Sequence, residues 1–455
     1  MKQYNAKNIR NVVLLGHSSS GKTSLAEAAY YLSGASDRLG KVADGNTVSD
    51  FDPEEIKRGA SVSTSIIPLE WKDCKINLLD TPGLFDFSDG VSEGVRAADS
   101  AVILLSAKSG VAVGTEKGYL AASKKGIAKI FFVNEMDNEH ADYYKVFGEL
   151  KENFGAGVCP IVVPYVENHV VKCYVNLIEN KAYTYNAKGV ATEVPVPSFS
   201  HVDELRDAIN EAVAETSEEL MEKYFGGEEF TQEELVNGLS QGVHNGEISP
   251  IFCGSATTLE GVDQLINGLT WLAPSADIAA HEVATAADGS KVELKTDENE
   301  KTVIVVFKSI DDQFGKLQYF KVVSGKVTPD SVLINSRTGA SEKFSKLLYI
   351  TGKKQENAEC IPAGDIGAVS KLNSTNTGDT LADGKQGLTL PGVNYELSGL
   401  SMAIFPANKG DEEKIFAGLA RIHEEDPTIS YYTNAETRET IVSGMGEQHL
   451  DLVVS

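Results

Sequence analysis

A glycine-rich turn near the N-terminus, placed between a short apolar segment and a helical segment, constrains this chain more than any other feature. Residues 12–15 are all apolar, and this run is long enough for a buried strand but too short for a buried helix. The turn matches the pattern G-x-x-x-x-G-K-S/T, and residues 25–32 behind it read as a helix. The turn and the residue after it are Gly16, His17, Ser18, Ser19, Ser20, Gly21, Lys22, Thr23 and Ser24.

The residue types of this turn, here called the phosphate loop (residues 16–23), are those that phosphate binding needs. Gly16 and Gly21 permit backbone angles and a close approach that a side chain would block. Successive N–H groups then point into one concavity, and the helix N-terminus adds partial positive charge. Lys22 would reach the β- and γ-phosphates, and the Thr23 hydroxyl would ligate Mg²⁺. A Gly/Ser loop that precedes a lysine by chance is the alternative, which the flanking strand and helix disfavour.

Length and charge narrow the class of protein. A chain of 455 residues exceeds one ordinary core and favours about three domains. The formal net charge of −25, from 41 basic and 66 acidic residues, disfavours wrapping a nucleic acid but leaves docking on a nucleoprotein open; plain solubility is the alternative. No apolar run approaches the ~20 residues of a membrane span, and no signal-peptide profile is present. Five scattered cysteines favour reduced thiols and a cytoplasmic location.

A second motif follows a predicted hairpin. Residues 66–71 and 74–80 read as paired strands, and the sequence D-T-P-G occupies residues 80–83 at the end of the second strand. The Asp80 carboxylate there would hold Mg²⁺ through a water, and the Gly83 N–H would sense a γ-phosphate. An ordinary turn is the alternative for D-T-P-G taken alone.

Further strands end in polar residues that would contact a base. Strands at residues 101–106 and 129–133, separated by a helix at 113–125, predict a parallel sheet with ligands at its carboxyl edge. Asp137 would accept two hydrogen bonds from guanine, a pair of donors that adenine lacks. Asn134 would bond N7 and tie loops together, and a backbone N–H at Ser255 or Ala256 would reach O6. A solvated loop is the alternative for N-x-x-D alone.

With these motifs in place, the chain resembles the translational GTPases, and specifically the elongation factor G family. The segments that carry the resemblance are the phosphate loop, Arg58-Gly59, residues 80–83 with Asp86-Phe87, Asn134 with Asp137, and Ser255-Ala256. It implies GTP or GDP with Mg²⁺ as the bound cofactors. Ser61 takes the place of the family's switch threonine, so Thr23 and Ser61 are the implied metal ligands, and Lys22, Ser61 and Gly83 are the implied participants in hydrolysis.

The resemblance also sets the expected fold. Residues 1–282 would form an α/β P-loop GTPase domain with a mixed, mostly parallel sheet and an inserted α+β subdomain at about 158–247. An antiparallel β-barrel would follow at 283–395, and a small α/β (ferredoxin-like) domain at 396–455, truncated relative to the family. One acidic helix is predicted over residues 202–225.

Three residues depart from the family pattern. Leu84 stands where the family has a histidine that positions the attacking water, which predicts hydrolysis slower by about 10³-fold or more. Glu135 replaces the lysine whose stem covers the guanine ring, which predicts weaker binding. Ser19 stands where an aspartate commonly helps to hold a monovalent cation. His17 and Asp86 are candidates for an alternative catalytic group by proximity only.

The resemblance implies a GTPase that acts on the ribosome through rRNA and ribosomal proteins, in translocation or a related remodelling step. The composition and the motifs add the expectation of a cytoplasmic monomer with no membrane partner. Three alternatives stay open. One is a ribosomal-protection protein of the tetracycline-resistance type, and another is a hydrolysis-deficient ribosome-binding switch. The third is a P-loop small-molecule kinase, which would prefer adenine and against which Asp137 argues.

Overall fold

The computed structural model describes residues 2–199, 201–279, 281–312, 315–384, 387–408 and 410–455. Its N-terminal domain is built on one seven-stranded sheet. In chain order the first elements are β1 Ile9–Gly16, α1 Lys22–Leu32, α2 Pro53–Arg58, β2 Ser65–Trp71, β3 Cys74–Asp80, α3 Ser88–Ala97, β4 Ser100–Ser106, α4 Val113–Lys125, β5 Ala128–Asn134, α5 Tyr143–Phe154 and β6 Val158–Pro160. The predicted hairpin is present, with Lys72 and Asp73 at its turn in left-handed backbone conformation.

A subdomain interrupts this sheet before its last strand is added. Its elements are β7 Val162–Glu167, β8 Val170–Asn176, β9 Lys181–Tyr185, β10 Ala191–Val194, α6 Val202–Ala214, α7 Glu218–Phe225 and α8 Gln232–His244, after which the chain returns through β11 Ser249–Cys253 and α9 Val262–Trp271. The single acidic helix predicted over 202–225 is wrong, because α6 and α7 are separate helices. The Ser217 hydroxyl accepts a hydrogen bond from the Leu220 N–H and begins the second one.

The strand order explains why the polar motifs meet. The sheet runs β2-β3-β1-β4-β5-β11-β6, and only β2 is antiparallel to its neighbour. Five parallel strands therefore end at one edge, at Gly16, Asp80, Ser106, Asn134 and Cys253. The strand at residues 158–160, placed in the predicted insertion, pairs with β11 in this sheet.

The middle domain is a curled antiparallel sheet, half of a barrel. Its strands are preceded by a small hairpin, and the elements are β12 Val283–Thr285, β13 Lys291–Glu293, β14 Val303–Asp312, β15 Gly315–Ser324, β16 Lys326–Val327, β17 Val332–Asn335, β18 Ser341–Lys343, β19 Leu347–Thr351, β20 Lys354–Ala358, β21 Ile361–Pro362, β22 Ile366–Ser370 and β23 Thr380–Ala382. Eight of them hydrogen-bond in the order β18-β17-β23-β14-β15-β22-β19-β20. The expected antiparallel β-architecture of this domain is confirmed.

The C-terminal domain is a three-stranded antiparallel sheet with two helices. Its elements are β24 Leu400–Ile404, α10 Glu412–Glu425, β25 Ser430–Thr433, β26 Thr440–Gly444 and α11 Glu447–Val454. The sheet order is β24-β26-β25, around a small core of Leu419, Ile429, Val442 and Leu450. Within the described ranges, no helix is both long and apolar enough to cross a bilayer.

A fully buried ion pair joins the N-terminal and middle domains. The Lys75 ammonium donates to both carboxylate oxygens of Asp365 at 2.8 Å and lies 3.7 Å from the centroid of the Tyr349 ring. The Tyr349 hydroxyl and the Asn77 amide also donate to Asp365, at 3.0 and 3.1 Å. Burial lowers the pKa of Lys75 and the facing carboxylate opposes that shift. Each buried charge is therefore stable only while its partner is present.

A second polar contact ties α3 to the middle domain and to the segment that leads into the C-terminal domain. The buried Glu93 carboxylate lies 3.8 Å from the Lys308 ammonium and accepts a hydrogen bond from the Tyr395 hydroxyl at 3.4 Å. Burial is the main reason that the pKa of Glu93 is raised to about 8, against the opposing effect of Lys308. The position and protonation of Glu93 thus depend on how these three parts of the chain pack together.

We expect Asp365→Asn to lower the free energy of unfolding by about 3–5 kcal/mol, because it leaves the Lys75 ammonium buried without a counter-charge. The double variant Lys75→Met/Asp365→Leu should recover most of that loss. Urea unfolding followed by tryptophan fluorescence measures both. Lys343→Gln, in an exposed pair with Asp330, is the control and should change stability by less than about 0.5 kcal/mol. A double variant as unstable as Asp365→Asn would contradict the explanation.

We expect Glu93→Gln to flatten the fall of stability with pH. With a native pKa of about 8, the folded protein keeps a proton that the unfolded chain loses above its ordinary value of 4.5. The stabilisation that the neutral Glu93 carboxyl group contributes is complete below pH 4.5 and declines as the pH rises towards about 8. Melting temperatures measured between about pH 5 and about pH 8 should fall less for Glu93→Gln than for the parent or for exposed Glu116→Gln. Parallel curves would exclude this role.

Candidate functional site

The phosphate loop crosses from β1 to α1 in a conformation that only glycine allows at two positions. Gly16 and Gly21 have φ of 145° and 92°, and a Cβ on Gly21 would lie 2.2 Å from the Asn134 amide nitrogen. Lys22 is buried, and its ammonium donates to the carbonyls of Gly16 and His17 at 3.1 Å each. Burial lowers the pKa of Lys22 to about 8, while Asp80 and Asp50 oppose the shift.

A cleft of about 280 Å³ opens in front of this loop and is here called the phosphate cleft. It is lined by Ser18, Ser19, Gly21, Lys22, Thr23, Ser24, Val42, Asp50, Gly59, Ala60, Ser61, Thr81, Gly83, Leu84, Asn134, Glu135 and Thr257. Most of the residues predicted from the sequence to contact phosphate or metal therefore share one cavity. Gly16, His17, Ser20 and Asp80 do not line it. The His17 ring centroid instead lies 5.9 Å from that of Phe85.

Three oxygen-bearing side chains, Thr23, Asp50 and Ser61, line one side of this cleft, and a fourth, Asp80, is buried next to them. The Thr23 and Ser61 hydroxyls are 3.2 Å apart, and Ser61 donates to Asp50 at 2.8 Å. Asp80 is wholly buried, yet neither of its carboxylate oxygens nor the second oxygen of Asp50 has a well-oriented hydrogen-bond partner among the described residues. Burial first, and then the charge of Asp50, raise the pKa of Asp80 to about 7.

This oxygen-rich arrangement fits Mg²⁺, which prefers oxygen ligands and keeps several waters or phosphate oxygens in its shell. Nowhere in the described ranges do three or more His, Cys, Asp or Glu side chains converge in a metal-binding cluster. A metal in the cleft would therefore rely on hydroxyls, two carboxylates and oxygens from a ligand. The carboxylate oxygens of Asp50 and Asp80 that lack well-oriented partners are the observation that supports such a cation.

Sequence reasoning missed Asp50 as a site residue. Its carboxylate reaches Ser61 because the intervening segment folds back through α2, whose Asp52 and Glu55 form a capping box. Glu55 also accepts the N–H groups of Val62 and Ser63 at 3.1 and 3.3 Å, which fixes the backbone next to Ser61. The sequence signal was weak: an acidic residue beside an apolar one, Phe51, ahead of Arg58-Gly59.

Gly83 and Leu84 border the cleft next to the phosphate loop. A Cβ on Gly83 would lie 2.6 Å from the Lys22 ammonium and 2.8 Å from the Ser18 Cα, so only glycine fits there. Leu84 is half-buried and presents no hydrogen-bonding side-chain group to the cleft. Asp86 accepts a hydrogen bond from the Gln448 N–H of α11 at 2.9 Å, so it is engaged by the C-terminal domain.

Asn134 joins the phosphate loop to the loop that follows β11. Its amide donates to the Ser20 carbonyl at 3.0 Å and accepts from the Ala256 N–H at 3.0 Å. That Ala256 N–H, predicted as a donor to a base, is therefore occupied by Asn134 in this structure. The Ser255 hydroxyl accepts from the Thr258 N–H at 3.1 Å and holds the same loop.

Asp137 and Glu135 lie beyond Asn134. Asp137 is exposed at the same sheet edge and does not line the cleft. Glu135 does line it, with φ of 64°, and its carboxylate accepts a hydrogen bond from the Ser106 hydroxyl. The acidic residue that replaces the family's lysine is thus held in place at the mouth of the cleft.

Comparison with known proteins agrees with this architecture across nearly the whole chain. Residues 7–275 match the model of the elongation factor Tu GTP binding domain, residues 301–384 match elongation factor G domain 2, and residues 398–455 match elongation factor G domain III.

The crystal structure of ttk003000868 from Thermus thermophilus superposes with a TM-score of 0.88 at 29% sequence identity. The alignment covers 98% of this chain and 65% of that one, so the chain spans about two thirds of the length of that relative. Because the matched GTP-binding model extends over more than half of the residues and two elongation factor G models follow it in order, the chain belongs to the elongation factor G family of translational GTPases.

Proposed function

We propose that this chain binds GTP and GDP with Mg²⁺ in the phosphate cleft, hydrolyses GTP slowly, and acts on the ribosome in translocation or a related remodelling step. The observation that carries the proposal is a desolvated Lys22 ammonium and the Asp50 carboxylate in one cleft, with the Asp80 carboxylate buried close to both. One oxygen of Asp50 and both oxygens of Asp80 lack well-oriented partners among the described residues. A bound phosphate would pair with the Lys22 ammonium, and a bound cation would pair with the Asp50 and Asp80 carboxylates.

Each side chain has a role that follows from its position. Lys22 and the phosphate-loop N–H groups would bind the β- and γ-phosphates. Thr23 and Ser61 would ligate Mg²⁺, with Asp50 and Asp80 accepting from its waters. When bound, Mg²⁺ would neutralise charge on the phosphate oxygens. Gly83 lies close to the Lys22 ammonium, so its N–H is well placed for the terminal phosphate.

Guanine selection would come from the loops that Asn134 holds together. Asp137 is exposed and would accept hydrogen bonds from the guanine N1–H and N2–H₂ groups, whereas adenine would leave the carboxylate unpaired. Glu135, fixed by Ser106, brings a second negative charge to this end of the cleft. Its carboxylate cannot cover the base as a lysine stem does, so affinity should be lower than in relatives that have lysine.

Hydrolysis is where the chain departs most from its family. The side chain that follows Gly83 is Leu84, which cannot orient a water molecule or stabilise developing charge. His17 packs against Phe85 and Asp86 is held by Gln448, so neither is free to replace the missing group in this structure. A ribosome-binding switch that does not use hydrolysis is the second candidate function, and Leu84 is the observation that favours it.

We expect Leu84→His to raise the single-turnover rate of GTP hydrolysis, by up to about 10³-fold when ribosomes are present, because it restores a water-positioning group. The measurement is release of radiolabelled phosphate from preloaded protein with and without ribosomes. Leu84→Ala is the control, since it removes the side chain without adding a hydrogen-bonding group. If Leu84→His is no faster than the parent, Leu84 is not the cause of slow turnover. If neither protein hydrolyses GTP that remains bound, the switch without hydrolysis is the better description.

We expect GDP, and not ADP, to raise the melting temperature, since a ligand at 100 times its Kd adds about 2.7 kcal/mol of stability. Glu135→Lys should bind GDP about tenfold more tightly, because it removes a negative charge and supplies a stem over the base. Glu135→Gln separates these causes, as it removes the charge alone. Isothermal titration gives the affinities. Equal stabilisation by ADP would instead favour a P-loop kinase.

A further inference from the structure

A buried carboxylate on α1, outside the phosphate cleft, contacts the chain segment that leads to Asp50. The Glu27 side chain is 1% exposed. One of its oxygens accepts the Gly40 N–H at 3.1 Å, and the other accepts the Val48 N–H. A Cβ on Gly40 would lie 2.6 Å from this carboxylate, so a side chain there would push the segment away. Glu27 therefore ties both ends of the loop at residues 40–48 to the helix that follows the phosphate loop.

The Glu27 carboxylate depends on these contacts for its charge. Burial raises the pKa of Glu27, while the N–H groups of Val48 and Gly40, and then the charge of Arg38, oppose the shift. A buried carboxylate that loses one of its N–H donors is left without full compensation, which costs free energy. The loop at residues 40–48 is therefore costly to move away from α1.

The backbone between Glu27 and Asp50 is short and fixed. Val48 lies two residues before Asp50, whose own N–H donates to the Thr47 hydroxyl at 3.2 Å and closes a turn. The Val48 carbonyl packs against the middle domain, since a Cβ on Gly352, in the turn between β19 and β20, would lie 2.0 Å from its oxygen. The position of Asp50 thus depends on α1 and on the middle domain together.

The hydroxyl that Asp50 contacts is held by a second carboxylate of the same kind. Glu55 is also 1% exposed and accepts the N–H groups of the two residues that follow Ser61. The contact of 2.8 Å between Ser61 and Asp50 therefore forms between two buried anchors. Thr23, whose hydroxyl lies 3.2 Å from that of Ser61, is four residues before Glu27 and on the same face of α1.

We propose that Glu27 is a positioning residue for the metal site, because it holds the loop at residues 40–48 against α1 so that Asp50 meets Ser61 beside Thr23. Glu27 does not line the phosphate cleft and acts through the backbone of Val48. This role rests on the proposed binding of nucleotide with Mg²⁺. Without the anchor, Asp50 would leave the place from which it accepts hydrogen bonds from the waters of the metal.

Glu27→Gln tests this role, because an amide keeps one oxygen acceptor and turns an NH₂ group towards the other backbone N–H. The release rate of a fluorescent, non-hydrolysable GTP analogue, measured at rising free Mg²⁺, gives the half-saturating Mg²⁺ concentration. We expect Glu27→Gln to raise that concentration about tenfold, as loss of a group behind a metal site does. Release in excess chelator should stay within about twofold of the parent, because no contact to the nucleotide changes.

Glu342→Gln is the matched control. Glu342 is a 5% exposed carboxylate of the middle domain, and its two oxygens accept the N–H groups of Asn373 and Ser374 at 3.2 and 2.6 Å. The substitution removes the same kind of loop anchor at another place. It should lower the melting temperature and leave the Mg²⁺ requirement unchanged.

Limited proteolysis of the nucleotide-free chain tests the anchor without a ligand. Lys41 is exposed and follows Gly40 directly, and trypsin cleaves after it when the loop opens locally. We expect this cleavage, identified by mass spectrometry, to be about fivefold faster in Glu27→Gln than in the parent or in Glu342→Gln. Equal rates would overturn the anchoring role.

A folded Glu27→Gln with the Mg²⁺ requirement of the parent, whatever its melting temperature, would overturn the positioning role and leave the proposed function standing. A parent that releases the analogue equally fast with and without Mg²⁺ would overturn the proposed metal site and this role with it. If circular dichroism shows that Glu27→Gln does not fold, Gly40→Ala displaces the loop while keeping the carboxylate, and the same rise is expected. Gly148→Ala, where a Cβ meets nothing within 4 Å, is its control.

Discussion

The buried contact between Lys75 and Asp365 is the interaction on which the arrangement of the domains depends. It links β3, the strand that carries Asp80 to the sheet edge, with the residue that precedes β22 in the middle domain. Around it, Lys308 donates to the Thr64 carbonyl at 2.7 Å and the Gly352 N–H donates to the Ile66 carbonyl at 3.0 Å. These contacts hold the backbone at the start of β2, shortly after Ser61. Because buried charges tolerate little displacement, the middle domain braces the segment that forms one wall of the phosphate cleft.

In the phosphate cleft, by contrast, the charged groups are not paired with one another. Lys22 gives up hydration for two carbonyl contacts, and Asp50 and Asp80 keep carboxylate oxygens without well-oriented partners among the described residues. A folded protein tolerates such groups when a ligand completes them, because binding energy then offsets the cost of burial. Polar groups in the domain interface are mutually satisfied, whereas those in the cleft are not, and this difference separates a structural contact from a binding site.

Leu84 is the departure from the family pattern that bears most directly on hydrolysis. It stands at the phosphate cleft in place of a polar side chain of the family. The same substitution that removes a water-positioning group therefore places an apolar side chain at the cleft. Contacts from the C-terminal domain, through Gln448 and Asp86, and from the linker, through Tyr395 and Glu93, fix the other side of this loop.

The sequence by itself determined the local features: the strand–turn–helix around Lys22, the hairpin at Lys72 and Asp73, the order of domain types, and the departures at Leu84 and Glu135. These depend on neighbouring residues and on backbone preferences, which a sequence displays directly. Only the tertiary structure decided that Asp50 contacts Ser61 and that Asn134 accepts the Ala256 N–H. It likewise decided that residues 202–225 form two helices, α6 and α7, and that β25 joins the C-terminal sheet. It also decided that Lys75 meets Asp365, 290 residues away. Such contacts are set by how distant segments pack and exclude water, and no local pattern encodes which partner a buried charge will find.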